Sequence, residues 1–487
     1  MNDKQFDALI ESAVPDTPPH EVVDTVTPWR HAMCMVLWGV GLSAVTLNFL
    51  GLGYILPAIG YLLRLCGFRT LRRENRFFAG CYVITALQCA FFAASMVLSC
   101  TIYASSEAVL EITQPLGVVS AIMQLILPLL LWGAICSVQR KCSLAAHAPA
   151  ALWLFAWYVL LFVLAVFGAS LGLIGGAALI AVFVLIIRSL YKLYSGLDEA
   201  GYAVKAAPDS ISNRTLVIIV TALTLLMMFC GYLFFSKYPM DWQPGEPAGN
   251  GSVREGLLGL GFPENVLNDL SAEDLAACSG AVRVVSQSED MPVNDGRKVD
   301  RDNVIHTIYD VKELHVTGVA VELPNGRWMI FHHFLWTVNP GFYGTESMQL
   351  WPTYVDNDGW ASAGDPSGRV LCDMDGQSFA AGYYFLGNQT FTSNDIFFGP
   401  STSTDVFAAF SMPNRSENCR GYVAYPIDTL DEGWLLNSWM NYTHQSNRFQ
   451  FPVVTAMDAR MRNSWNRAGA FLTVQSALQF TPYEDMW

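Results

Sequence analysis

Residues 215–236 read TLVIIVTALTLLMMFCGYLFFS, a stretch without a charged residue. A helix needs about 20 mainly apolar residues to cross the hydrocarbon core of a bilayer. Further apolar runs precede this one, at 33–67, 77–103, 115–137 and 150–187, and none of comparable length follows it. The stretch therefore predicts the last span of a multi-span membrane segment.

Two of these runs are too long for a single span. Asn48, Gly51, Gly53 and Pro57 interrupt the run at 33–67, and four glycines between residues 168 and 176 interrupt the run at 150–187. We expect each run to form two short spans. The result is an α-helical transmembrane bundle of about seven spans within residues 31–236, at 33–48, 51–67, 77–103, 115–137, 150–168, 171–187 and 215–236.

The positions of Lys and Arg favour seven spans over five. If the N-terminus is inside, the outer connections near 49–50, 104–114 and 168–171 carry no Lys or Arg, whereas each inner segment carries at least two. Cytoplasmic loops are enriched in these residues. This pattern predicts a multi-pass protein of the cytoplasmic membrane, with residue 237 onward outside.

The spans contain few polar residues that could serve transport. No ionisable residue is expected in the central part of any span, and such residues mark most ion and proton pathways. Gln88 and Gln124 are the notable polar residues, and we interpret them as partners in interhelical hydrogen bonds. A transporter driven by ion coupling is therefore disfavoured.

The two halves of the chain differ in charge. Residues 1–236 hold 13 Lys and Arg against 12 Asp and Glu, whereas residues 237–487 hold 15 against 30. An acidic surface repels nucleic acid and anionic lipid headgroups, so neither is an expected partner of the second half. The lipid bilayer is the expected partner of the first.

Residues 1–30 form an acidic arm that precedes the first span. Phe6, Leu9, Ile10 and Val14 recur at helical spacing before the first proline. This apolar stripe is expected to contact either a cytoplasmic regulator, through residues 1–29, or the inner face of the membrane.

The outer half divides into a linker with short helices, at 237–280, and a β-rich domain at 281–487. A Pro-Asn-Gly turn at 324–326 separates two strand-like segments and predicts a hairpin. Many short strand candidates with turn signals between them predict an all-β sandwich or jelly roll.

Aromatic residues supply the candidate binding site of the outer domain. Several tryptophans lie near Asp and Asn, a mixture suited to stacking on a glycan or a peptide. The candidate ligand-binding residues are Trp351, Trp360, Trp434, Trp439, Asp356 and Asp358. The same tryptophans would equally serve a sandwich core.

No motif predicts catalysis, a metal or a cofactor. The G-x-S-x-G match at 168–172 lies between two spans rather than in a hydrolase sheet. His332 and His333 are adjacent, so on a strand they face opposite sides. The Asp-rich segments at 356–359 and 373–376 are interpreted as turns rather than calcium loops. A hydrolase acting through these aspartates stays a minor alternative, and Cys372–Cys419 is the expected disulfide.

The segments VTPWR (26–30) and WGVGLSAVTLNFLGLGYILPAIGYLL…GFRTLRRENRFF (38–78) resemble those of an uncharacterised family of bacterial multi-span membrane proteins. This resemblance implies a bacterial source and no particular activity.

These observations lead to two functional hypotheses. The first is a non-enzymatic, membrane-anchored protein whose extracytoplasmic domain binds or senses a ligand. The alternative is an accessory subunit of a membrane transport or export complex, which predicts stable association with other membrane subunits.

Overall fold

The structure is a computed structural model. It describes residues 28–44, 51–168, 172–199, 202, 204, 211–245, 251–293, 297–301, 304–308, 312–351, 360–395, 399–429, 436–461 and 470–481. The chain forms two compact units. We call residues 1–98 with 107–229 the helical unit, and residues 99–106 with 230–487 the β-rich unit.

Seven helices occupy the described residues between 28 and 235. They are α1 (Pro28–Ala44), α2 (Leu52–Leu71), α3 (Arg76–Leu98), α4 (Glu107–Lys141), α5 (Pro149–Val166), α6 (Gly172–Glu199) and α7 (Asn213–Phe235). The long apolar runs at 33–67 and 150–187 each contain two helices, as their glycines predict.

Five of these helices, α3 to α7, are long and apolar enough to cross a membrane. The first two differ from them. Helix α1 has 17 residues, and α2 carries Arg64 and Arg69 in its second half. Length and composition therefore identify five candidate spans, and seven spans stay a prediction.

Helices α1 and α2 pack closely because glycines lie where they meet. A Cβ atom on Gly60 would lie 2.7 Å from the carbonyl oxygen of Gly39 and 2.8 Å from the amide nitrogen of Ser43. Small residues at such positions let two helix backbones approach, which is a common way for helices to associate in a membrane.

Polar side chains also join the helices inside the helical unit. Gln88 of α3 donates from Nε2 to Oε1 of Gln124 on α4 at 3.0 Å, so the predicted interhelical hydrogen bond is present. Arg64, near the end of the predicted span at 51–67, is an ionisable residue inside this unit. Because α2 continues to Leu71, Arg64 lies two turns from the helix end, and its side chain is fully buried.

Three short helices open the main part of the β-rich unit. They are α8 (Ser252–Gly259), α9 (Glu264–Asp269) and α10 (Ala272–Ala277). The side chain of Ser271 accepts a hydrogen bond from the amide of Asp274, which caps α10. A fourth helix, α11 (Ala456–Met461), lies near the C-terminal end of the unit.

The remaining elements are strands. They are β1 (Gln243–Pro244), β2 (Arg283–Val293), β3 (Arg297–Arg301), β4 (Val304–Ile308), β5 (Lys312–Glu322), β6 (Trp328–Trp336), β7 (Glu346–Trp351), β8 (Trp360–Ser362), β9 (Ser367–Met374), β10 (Gln377–Ala381), β11 (Phe385–Asp395), β12 (Gly399–Phe410), β13 (Glu417–Thr429), β14 (Leu436–Gln445) and β15 (Phe471–Phe480). The predicted hairpin is present, since β5 and β6 pair antiparallel around 324–326.

These strands form two large antiparallel sheets. The first has the order β1-β10-β9-β13-β6-β5-β2, with β8 also paired to β13. The second has the order β11-β12-β7-β14-β15, and β3 and β4 form a separate pair. One apolar core contains side chains from both sheets, among them Phe334 of β6 and Met440 of β14.

The connection between α3 and α4 belongs to the β-rich unit. The carbonyl oxygen of Ser99 accepts a hydrogen bond from the amide of Val453 at 2.8 Å. Ile102 is buried in an apolar cluster with Tyr238, Phe407 and Met457. Residues 99–106 are therefore part of the folded unit formed by the C-terminal half.

Cys372 and Cys419 are free thiols buried in the shared core, so the expected disulfide between them is absent. An irregularity in the β9–β13 pairing falls between Glu417 and Arg420, so Cys419 lies outside the regular register. Its Sγ lies 3.0 Å from Oγ of Ser416 instead. Burial raises the pKa of Cys419 to about 12.

Candidate functional site

Two of the predicted ligand-binding tryptophans lie side by side on the second sheet. Trp351 of β7 and Trp439 of β14 are directly opposite in the strand register. Their ring centroids lie 6.3 Å apart and the ring planes differ by 10°. Both side chains are half-buried. We call these two residues the tryptophan pair.

The alternation along β7 and β14 places the tryptophan pair on the sheet face away from the shared core. Leu350 and Met440, each adjacent in sequence to a member of the pair, are fully buried in that core. Because successive side chains of a strand point to opposite faces, Trp351 and Trp439 lie on the other face. Their rings are thus not core residues of this sheet.

A row of polar side chains continues the same face next to the tryptophan pair. Gln349 donates from Nε2 to Oδ2 of Asp405 at 2.6 Å. Its Oε1 accepts from Nδ2 of Asn441 at 3.3 Å and from Nη2 of Arg460 at 2.8 Å. Burial lowers the pKa of Arg460, and the charge of Asp405 opposes this shift. These hydrogen bonds join β12, β7, β14 and α11 next to the tryptophan pair.

Amides also lie beyond the pair, on its other side. Nε2 of Gln479 on β15 donates to Oδ1 of Asn437 on β14 at 2.9 Å. Asn437 precedes Trp439 by two residues and so lies on the same face. The tryptophan pair is therefore an aromatic surface between two groups of amide side chains. Such a surface can stack on the apolar face of a ring and offers hydrogen-bonding groups at its edges.

Helix α11 connects this face to the segment 99–106. Arg460 belongs to the polar row, and Asp458, two residues earlier, accepts a hydrogen bond from Oγ of Ser105. Oγ1 of Thr455 accepts from the amide of Asp458 at 3.0 Å, which caps the helix. One short helix thus contacts both the polar row and the connection between α3 and α4.

The other four predicted site residues are one residue of the first sheet and three residues outside the described part of the chain. Trp360 lies in β8, which pairs with β13 of the first sheet, whereas Trp351 and Trp439 belong to the second sheet. The remaining predicted residues, Trp434, Asp356 and Asp358, lie outside the described residues. The segment 373–376 contains the predicted turn, since Asp375 and Gly376 connect β9 to β10 and have positive φ.

The two adjacent histidines contact different parts of the β-rich unit. Nε2 of His332 lies 2.6 Å from Oγ of Ser438 on the second sheet. Nε2 of His333 lies 2.9 Å from Oδ2 of Asp269 at the end of α9. They therefore face opposite sides of β6, as expected.

His332 and Ser438 do not form a catalytic pair. Both side chains are fully buried. Nδ1 of His332 has no hydrogen-bond partner among the described residues, so no acid orients the ring. Burial lowers the pKa of His332 to about 3. The imidazole is therefore neutral and structural.

Two further buried polar groups stabilise the unit. Asp269 accepts from Nε of Arg420 at 2.8 Å as well as pairing with His333. Burial alone would raise the pKa of Asp269, but His333 and Arg420 hold it below its ordinary value. Glu346 lies 2.9 Å from Nδ1 of His444, in the second group. Within the described residues, no three His, Cys, Asp or Glu side chains converge in a way that would hold a metal ion.

Comparison with known proteins identifies no family. No family model matches the sequence, and no curated protein matches it. Similar solved structures include a pore-forming protein, at 6% identity and a TM-score of 0.16, covering 41% of this chain and 90% of that one. Another is the NetB toxin of Clostridium perfringens in its membrane-inserted form, at 7% identity and a TM-score of 0.14, covering 41% and 95%. Similarity this low carries no argument about fold or function.

Proposed function

We propose that this chain is a membrane-anchored binding protein whose β-rich unit, a β-sandwich outside the cell, takes a glycan or peptide ligand at the tryptophan pair. The observation that carries the proposal is the parallel arrangement of Trp351 and Trp439 on a sheet face that they share with amide side chains. Aromatic rings that lie outside a core, with polar neighbours, suit ligand stacking.

The proposed topology follows the charge pattern of the sequence. Seven spans with the N-terminus inside place the β-rich unit outside the bacterial cytoplasmic membrane. Residues 99–106, which connect α3 to α4, belong to the β-rich unit. The sequence predicts that this connection lies outside, as it does for the rest of the β-rich unit, and this agreement supports the proposed topology. The spans then act as the anchor.

The binding proposal is tested with the purified full-length protein in mild detergent. Tryptophan fluorescence is titrated with a panel of oligosaccharides and with aromatic-rich peptides. We expect one class to quench the emission, and Trp351→Ala or Trp439→Ala to weaken its binding about tenfold or more, since stacking contributes roughly 1–3 kcal/mol per ring. Phe449→Leu, which changes an aromatic residue that is 73% exposed elsewhere in the unit, is the control. Equal binding by all variants would contradict the proposal.

A second candidate function, an accessory subunit of a membrane complex, is favoured by helix α7. Gly231 is the only buried residue described within α7, so most of its surface is free for lipid or for a partner helix. Mass spectrometry of in-cell crosslinked, mildly solubilised protein distinguishes the two. Other membrane subunits in constant ratio would support the accessory function, whereas a cytoplasmic regulator crosslinked to residues 1–29 would support sensing.

A further inference from the structure

Arg64 is a fully buried cation in the interior of the helical unit. Its Nη2 donates to Oε1 of Gln88 at 3.3 Å. Its guanidinium carbon lies 4.6 Å from the centroid of the Tyr61 ring. The other two nitrogens, Nε and Nη1, have no hydrogen-bond partner among the described residues. The guanidinium therefore has donors that the surrounding protein does not use.

Neighbouring helices contribute two more unused hydroxyl groups. The hydroxyl of Thr85 on α3 is buried without a hydrogen-bond partner in the described part of the chain, and the hydroxyl of Tyr158 on α5 lies near Gln124 but outside hydrogen-bond geometry. Thr85 precedes Gln88 by three residues, so the two lie on the same face of α3. Tyr158 lies close enough to Arg64 to interact with it electrostatically. Arg64 on α2 and Tyr158 on α5 are thus neighbours, and Thr85 shares its face of α3 with Gln88, the hydrogen-bond partner of Arg64.

No carboxylate in the described residues forms an ion pair with Arg64. Glu74, the acidic residue nearest to it in sequence, accepts instead from Lys141 and from the hydroxyl of Tyr202. A buried charge without a counter-ion costs several kcal/mol, and ionisable residues within membrane segments usually mark a functional site. A bound anion would remove this cost and occupy the spare donors together.

We propose that the helical unit binds an oxyanion, a phosphate or a carboxylate, at Arg64. The positive charge selects an anion, and the fork of the guanidinium with nearby hydroxyls suits a group with several acceptor oxygens. Tyr61 covers the guanidinium and its ring lies 5.1 Å from that of Phe92. Tyr61 is half-buried, so one side of the ring that covers Arg64 faces the surface of the helical unit. The anion comes from a lipid headgroup or from the aqueous phase.

Native mass spectrometry of the full-length protein in mild detergent tests the lipid source. If it is a lipid, the wild type retains an anionic lipid, and Arg64→Gln retains about tenfold less. Arg73→Gln is the matched control, since Arg73 is an exposed arginine beyond the end of the same helix. Tyr158→Phe keeps the charge of Arg64 and removes one hydroxyl. We expect this variant to retain an intermediate amount of anionic lipid, which would show that the fold tolerates a substitution near Arg64.

Thermal unfolding with added inorganic phosphate tests the aqueous source. If the anion is free, phosphate raises the unfolding temperature of the wild type and of Arg73→Gln but leaves that of Arg64→Gln unchanged, as expected for a ligand that binds only the folded state. The proposal is overturned if Arg64→Gln retains as much anionic lipid as the wild type and phosphate, in addition, changes the unfolding temperatures of the two proteins equally or not at all.

Discussion

Acidification should destabilise the β-rich unit through His332. Burial lowers the pKa of this imidazole to about 3, whereas the unfolded chain has an ordinary value near 6.5. Between these two values the unfolded state binds a proton that the folded state does not. Stability is therefore retained above about pH 6.5 and lost as the pH falls toward 3.

The magnitude follows from the difference in proton binding. A pH of 5 lies about 1.5 units below the pKa of the imidazole in the unfolded chain, and each unit corresponds to roughly 1.4 kcal/mol. Protonation of the unfolded state therefore removes about 2 kcal/mol of stability relative to pH 7.5. Other titrating groups add their own dependence. Comparison with a variant that lacks only this imidazole isolates the contribution of His332.

Urea unfolding of the full-length protein in mild detergent, followed by tryptophan fluorescence, measures the effect. His332→Gln keeps a polar group next to Ser438 and does not titrate. We expect it to lose about 2 kcal/mol less than the wild type between pH 7.5 and pH 5. If wild type and His332→Gln lose equal stability, the reasoning about burial is refuted.

Two substitutions test packing and ion pairing. Gly60→Leu should separate α1 from α2 and destabilise the helical unit by about 2 kcal/mol or more, measured as a lower unfolding temperature, while Gly41→Leu, with no atom near its Cβ position, should not. Asp269→Asn leaves the buried His333 and the largely buried Arg420 without their shared carboxylate. It should cost about 3–5 kcal/mol in urea unfolding, and an unchanged midpoint would show that this ion pair does not stabilise the fold.

Local signals in the sequence predicted the elements whose pattern is strong. Apolar runs and the glycines that interrupt them locate the helices, and the residue types at 324–326 identify the hairpin turn. Strands β7 and β14 were not predicted. On the sheet face away from the shared core, these strands carry polar residues such as Gln349 and Asn441, which α11 buries. Both faces of the strands are therefore buried, and the sequence does not show the usual alternation of core and solvent-exposed residues.

The candidate site could be predicted only in part, because proximity in sequence does not determine which strands pair. Trp351 and Trp360 lie close together in the chain, yet they belong to different sheets, while Trp351 and Trp439 are distant in sequence and adjacent in space. Arg64 lies near the end of the predicted span at 51–67. Only the observed length of α2 places it in the interior.

The membership of residues 99–106 in the β-rich unit has a consequence for biosynthesis. The ribosome makes this segment before α4 to α7, whereas its partners Val453 and Met457 come near the end of the chain. The apolar cluster that buries Ile102 is therefore completed only after most of the protein has been synthesised. Maturation of the β-rich unit depends on helix insertion upstream, and a nascent chain that stops before α11 leaves an apolar segment for quality-control proteases to recognise.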